Sequence, residues 1–222
     1  MMISCWSAKG GSGTTLVAVA LAMMLGRDSE RGSVLVDLEG DVPTVCGVPQ
    51  PDGPGITDWL AASPSVGAAA LERLEHPVAT GVRLVPCGRR SLSGEQRVPL
   101  CAERLAHDER PVVVDVGRVA WTGEPDDLVR RQFVEAATTS LLGTRPCFIS
   151  LRRALAIPMR PTGVVLIEES GRALGRTDVE DVLGVPVVAA IDVDAAVARA
   201  VDAGLFASRL PAPFGRALRD VA

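Results

Sequence analysis

Tyrosine is missing from this 222-residue chain, and lysine occurs once, at Lys9, although Lys and Arg together number 23. Every other basic side chain is arginine, a usage that suggests a GC-rich source genome. Aromatic residues make up 3% of the chain, so a core has to be built from Val, Ala and Leu, which suits helices packed on a buried parallel sheet. The five cysteines (Cys5, Cys46, Cys87, Cys101, Cys147) are odd in number and scattered, with no Cys-x-x-Cys pair. With no signal peptide in view, reduced cysteines in a cytosol are the expectation. His76 and His107 have no ligand-like spacing with the cysteines, which argues against a zinc site. No apolar run reaches the ~18 residues that span a bilayer. The net charge of −4 argues against a protein that is basic overall, though not against a local basic patch. Neither an internal repeat nor a low-complexity segment is present, and a single domain over residues 1–222 is expected.

What is there is an alternation of short apolar runs with longer helical stretches. Strands are expected at Met2–Trp6, Ser33–Asp37, Val82–Pro86, Pro111–Asp115, Ser140–Gly143, Gly163–Ile167 and Val185–Ala190. Helices are expected over Leu16–Leu25, Ile56–Ala62, Gly67–Leu74, Leu100–His107, Asp126–Ala137 and Phe148–Ala156. A further helix, capped by Asp194, runs to Ala203 and ends at Gly204, and Pro211–Ala222 adds a last short one. Asp41–Gly55 and Arg89–Gln96 read as loops. The alternation predicts an α/β fold, a mostly parallel central sheet with helices on both faces. Such sheets bind ligands beyond the carboxyl ends of their strands. Lys9, Asp37 and Asp115 all fall at such ends, on one edge.

The chemistry centres on Ser7-Ala8-Lys9-Gly10-Gly11-Ser12-Gly13-Thr14-Thr15, a glycine-rich turn between the first strand and the first helix. Glycines let successive backbone N–H groups curl into an anion-binding nest, and the helix turns its positive end toward it. Thr15 is placed to offer a hydroxyl to Mg²⁺. The pattern G-x-x-x-x-G-K-[ST] fails, because Ala8 and Thr14 stand where Gly and Lys are required. The lysine sits instead ahead of the double glycine. A compact ammonium suits a tight turn among phosphate oxygens, where a forked guanidinium needs more room.

Lys-Gly-Gly-x-Gly-x-Thr resembles the deviant Walker A loop of the MinD/ParA family of P-loop ATPases. The resemblance covers nearly the whole chain. It implies a P-loop NTPase fold, ATP and Mg²⁺ as cofactors, and a homodimer closed around nucleotide, with Lys9 reaching the partner's phosphates. Lys9, Gly10, Gly11, Ser12, Gly13, Thr14 and Thr15 would cradle the phosphates. Asp115 resembles the Walker B aspartate that holds magnesium through water. Asp37-Leu38-Glu39 resembles the family's Asp-x-Asp segment, in which the first acid contacts the magnesium shell and the second orients the attacking water. Glu39 is one methylene longer than the family's residue; Asp41 is an alternative acid, and a solvated turn is the plain reading of both. Where relatives hold adenine with Asn or Asp, this chain has Glu168-Glu169, so the resemblance does not assign the base. The family usually keeps the ordinary P-loop lysine where Thr14 stands, which implies a slow ATPase or one without hydrolysis.

Leu142-Gly143-Thr144-Arg145-Pro146 with Leu151-Arg152-Arg153-Ala154 is similar to the CpaE/TadZ branch, which localises tight-adherence pilus and secretion machinery. That likeness implies a protein partner in such a system and a cytoplasmic protein, held at the membrane or pole through the partner. The alternatives are a scaffold that keeps the fold without hydrolysis, and a DNA-partition ATPase, which the acidic balance disfavours. The pairs Arg89-Arg90, Arg130-Arg131 and Arg152-Arg153 read as solvated faces rather than a DNA surface. The tail Phe214–Val221 is too weakly amphipathic to make membrane binding the expectation.

Overall fold

The structure, a computed structural model, describes residues 1–169, 171–193 and 195–221. In chain order the strands are β1 (Met2–Ser7), β2 (Ser33–Asp37), β3 (His76–Ala79), β4 (Val82–Val85), β5 (Val112–Arg118), β6 (Thr139–Thr144), β7 (Gly163–Glu168) and β8 (Val187–Asp192). The helices are α1 (Thr14–Asp28), α2 (Val42–Cys46), α3 (Ile56–Leu60), α4 (Val98–Ala106), α5 (Pro125–Ala136), α6 (Phe148–Leu155), α7 (Arg176–Leu183), α8 (Ala195–Asp202) and α9 (Ala212–Ala217). The strands form one sheet in the order β3-β4-β2-β5-β1-β6-β7-β8. Every neighbouring pair is parallel except β3 with β4.

Strand alternation sorts side chains onto two faces. Val112, Val114 and Val116 of β5 join Trp6, Val34 and Leu166 in a core under α4, α5 and α6, where Cys101, Leu105, Phe133 and Leu151 cover them. Val113 points the other way, with Ile3, Cys5, Leu35 and Val165, into a core under α1, α2 and α9. Helix α1 is apolar on nearly every side, and Val17 to Met23 are all buried, because α2 and α9 cover the side the sheet does not. Phe214 and Leu218 of the tail are fully buried in this second core, with Phe214 edge-on to Phe206 at 5.0 Å between centroids. The tail's apolar residues are therefore spent on packing.

Several expectations need correction. Asp41–Gly55, expected as loop, holds α2, which has Pro43 in its first turn and ends at Gly47 with φ 68°. Strand β3 was not expected; its Pro77 breaks the strand pattern, and only an edge position tolerates it. Ala68–Leu74 forms 3₁₀ turns rather than an α-helix. The last strand begins at Val187, not Val185. The expected cap Asp194 lies outside the described residues. The correction with most consequence is in β5, which does not end at Asp115 but runs on to Arg118. Cys5 pairs with Asp115 but Trp6 pairs with Gly117, so Val116 is an extra residue and β5 bulges there.

The chain leaves β1 for β2 on one side of the sheet, whereas β5 crosses β1 to reach β6 on the other. The crevice beyond the carboxyl ends of β1 and β5 is thus where ligands bind in open α/β sheets.

Candidate functional site

The loop between β1 and α1 occupies that crevice. Gly11 and Gly13 both adopt φ 74°, the left-handed conformation that a side chain resists. Ser12 is buried, and its hydroxyl donates to the Lys9 carbonyl at 2.7 Å, closing the turn. Gly13 leads directly into α1, no side chain caps the helix, and no acid stands in its first turn. The first amides of α1 therefore keep their donors for whatever enters the crevice. A Cβ on Gly10 or Gly11 would meet nothing within 4 Å, so the outer rim of the loop is open.

In front of the loop is a cleft of about 210 Å³, lined by Ser7, residues 10–16, Glu39, Asp41, Gly117 and Arg118. Asp37 and Asp115 stand behind it, both at 0% exposure, and face each other in register across β2 and β5. Burial pushes the Asp115 carboxyl up to about 8, and the charge of Asp37 adds to the shift while the Thr15 hydroxyl opposes it. Its Oδ1 accepts the Gly117 amide at 3.3 Å, and its Oδ2 is buried without a hydrogen-bond partner. Burial likewise raises Asp37 to about 6, against three backbone hydrogen bonds that lower it. Those bonds come from the amides of Glu39 (3.0 Å), Gly40 (2.6 Å) and Val42 (3.2 Å), so Asp37 holds the turn that leads into α2.

Glu39 lies at the rim, and its Oε2 forms an ion pair with Arg130 at 2.6 Å. Arg130 also donates to the carbonyls of Val116 and Leu38. Its neighbour Arg131 lies over the Trp121 ring at 4.0 Å. Arg130-Arg131 is therefore not a solvated face, as the sequence suggested, but a clamp that ties α5 to the ends of β2 and β5. Gly117, at φ 71°, leaves room for the Glu39 carboxylate, which a Cβ there would strike.

Lys9 does not line the cleft. Its charge is felt on the other side of the loop: it helps lower Glu169, chiefly held down by a hydrogen bond from Arg172, and it helps lower Cys147 against the burial that raises it. Thr14 lines the cleft, yet its hydroxyl is buried without a partner, and a Cβ on Gly143 would lie 3.3 Å from it. Thr15 is at the cleft beside Asp115. Glu168 ends β7 half-buried, and Glu169 is taken up by Arg145 and Arg172.

The structure thus brings Gly10 to Thr15 and Glu39 to one cleft, places Asp37 and Asp115 behind it and leaves Lys9 out of its lining. Sequence reasoning missed Gly117, Arg118 and Arg130. The run Val-Gly-Arg directly after Asp115 was the available signal for the first two.

No family model matches the chain, and no curated protein is similar enough in sequence to count as a relative. In structure the chain is similar to the MinD cell division protein of Aquifex aeolicus, at 17% identity and TM-score 0.78 over 99% of this chain and 94% of that one. It is similar to the septum site-determining protein MinD of Pyrococcus horikoshii, complexed with Mg-ADP, at 19% identity and TM-score 0.76 over 97% and 91%. A ParA family ATPase from Chlorobium tepidum matches at 19% identity and TM-score 0.74 over 99% and 96%. The chain has the α/β fold that these MinD and ParA proteins share.

Proposed function

We propose that the chain binds ATP with Mg²⁺ in the cleft in front of the β1–α1 loop, and that it acts as a dimerising switch which positions a cellular structure, with weak hydrolysis at most. The observation that carries this reading is the uncapped start of α1 opening on a cleft backed by unpartnered oxygens, Thr14 Oγ1 and Asp115 Oδ2. Backbone amides at a helix start suit phosphate, and hard oxygen donors suit Mg²⁺. Thr15 and Asp115 would hold the ion together with phosphate oxygens and water, and the ion would neutralise charge on the outer phosphates. Asp37 shapes the turn that carries Glu39. Glu39, tied to Arg130, would sit beside the outer phosphates.

Lys9 supports the dimer. It is the chain's single lysine, it lies in the phosphate loop, and it does not line its own cleft. A partner's cleft is the place where its charge would be used. The deviant Walker A pattern supports the nucleotide switch, and the CpaE/TadZ likeness supports a role with pilus or secretion machinery, through a protein partner. A scaffold without hydrolysis is the second reading, favoured by Thr14, which supplies no charge. Among the described residues no helix is long and apolar enough to cross a membrane.

Calorimetric titration with ATP, with and without Mg²⁺, tests binding, and equal affinity in the two would count against Thr15 and Asp115 as metal-holding residues. Single-turnover hydrolysis by the wild type and Thr14→Lys then separates switch from scaffold. Raised hydrolysis in Thr14→Lys means that the machinery is intact and idled by one residue. Binding without hydrolysis in both points to a non-catalytic switch. No binding in either defeats the ATP reading.

A further inference from the structure

The cleft is poor in positive charge. Glu39 and Asp41 line it, Asp37 and Asp115 stand behind it, Thr14 stands where a cation is usual, and Lys9 does not line it. Arg130 is spent on Glu39 and on two carbonyls, and its side chain is 12% exposed. Among the described residues, one basic side chain lines the cleft, and it is Arg118.

Its placement follows from the bulge in β5. Val116 and Val119 on either side of it are buried in the core under α4 and α5. The Val119 amide donates to the Ser7 carbonyl at 2.9 Å, and Arg118 is paired with Ser7, the last residue of β1 before the loop. With its flanks turned into that core, Arg118 is left on the opposite side, where α1 and the phosphate loop lie. It is exposed, and no ion pair or side-chain hydrogen bond holds its guanidinium among the described residues. Without the bulge, the regular alternation would have reversed its direction.

We propose that Arg118 binds the terminal phosphate of the nucleoside triphosphate and supplies the positive charge that Thr14 does not. The proposal rests on the nucleotide reading of the cleft. Thr15 and Asp115 would hold Mg²⁺, which would neutralise charge on the outer phosphates. Arg118 lines the same cleft from the end of β5, beside Ser7 where the loop begins. A guanidinium fork takes two phosphate oxygens at once, a geometry that an ammonium does not offer.

The test is the affinity of the full chain for Mg-ATP and Mg-ADP, measured by calorimetry on the wild type, Arg118→Ala, Arg118→Lys and the double variant Thr14→Lys/Arg118→Ala. Arg118 is exposed, so its two single variants should keep the wild-type unfolding midpoint, and the double variant, which also changes the buried Thr14, is checked for folding by its own unfolding curve. Loss of a charge-assisted pair predicts that Arg118→Ala weakens ATP by about 10- to 100-fold. ADP, which lacks the terminal phosphate, should change by less than about threefold, and Arg118→Lys should recover part of the loss. Thr14→Lys should restore ATP binding to the Arg118→Ala chain. Unchanged ATP affinity in Arg118→Ala would overturn this inference alone. Equal losses for ATP and ADP would overturn the assignment to the terminal phosphate. A wild type that binds neither nucleotide would overturn the cleft reading and this inference with it.

Discussion

Replacing Asp115 with asparagine should make the ligand-free protein more stable at neutral pH, and less sensitive to pH. Asp115 is fully buried, sits in register with Asp37 and carries an oxygen without a partner. Burial, reinforced by the Asp37 charge, raises its carboxyl from 3.8 to about 8. Between those values the folded chain keeps a proton that the unfolded chain has released. Stability therefore falls as pH rises, by about 1.4 kcal/mol per pH unit, or about 3 kcal/mol from pH 5 to pH 7. Asp37, raised to about 6, adds a loss mainly below pH 6, and the two neighbours release their protons as a coupled pair. Above about pH 8 both are ionised in the folded and unfolded states, and the curve levels off.

Asparagine keeps the shape and removes the titration. By the same conversion the gain at pH 8 has a ceiling of about 5 kcal/mol, from which a buried amide without a fixed acceptor takes back about 1–3 kcal/mol. A net gain of about 2–4 kcal/mol remains. The assay is urea unfolding at pH 5, 6, 7 and 8, in EDTA and without nucleotide. The carboxylates held low, Asp108 and Asp127 among them, lose their contributions only below that window. A wild-type stability that stays flat or rises from pH 5 to pH 8, or an Asp115→Asn curve parallel to it, would refute the reasoning.

Two further outcomes are expected. Lys9→Ala should abolish ATP-dependent dimerisation while leaving the monomer folded, since Lys9 does not line its own cleft; sedimentation with a non-hydrolysable ATP analogue checks this, and an unchanged dimer fraction would sink the idea. Gly117→Ala should lower stability by about 2–3 kcal/mol, because it combines a left-handed conformation with a Cβ 2.8 Å from Arg130 Nη1 and closer still to the Glu39 carboxylate; a denaturation midpoint equal to the wild type's would show that the Glu39–Arg130 clamp yields freely.

The central strands were legible because β1, β2, β5, β6 and β7 are buried on both faces over most of their length and so appear as short apolar runs. Val112 to Val114 could hardly be anything but a central strand, and the phosphate loop announced itself between β1 and α1. The end of β5 was not legible. Asp115 looks like a terminus, since Gly117 two residues later breaks the apolar run. The strand continues because Trp6 and Ser7 of β1 offer partners to Gly117 and Arg118, which is a property of the pairing and not of the local sequence. Asp37 shows a different limit. An acid at a strand end suggests a ligand to metal, and the structure adds a second role, since three amides from the following turn donate to its oxygens. Those amides are local, but only the fold reveals their direction. Arg130 is 91 residues from Glu39 in the chain, and no spacing rule joins the two.

The distribution of charge around the loop follows from the same bulge. Had β5 ended at Asp115, the cleft would be framed by acids and by neutral loop donors alone, a poor setting for a polyanion. One inserted residue carries the strand on, leaves room at Gly117 for the Glu39 carboxylate under Arg130, and delivers Arg118 to the loop. Glu39 is thereby neutralised by a partner that has no charge to spare for a ligand, while Arg118 keeps its own. On this account the phosphate loop divides its positive charge between two residues with different reach: Arg118, inside the chain's own cleft, and Lys9, outside it. Binding of nucleotide by the monomer would then depend on Arg118, and association of two copies on Lys9. Arg118→Ala and Lys9→Ala should therefore fail in separate assays, the first in nucleotide affinity and the second in dimer fraction at saturating nucleotide. If the two variants lost both properties together, the division would be wrong, and the loop would work only as a two-chain unit.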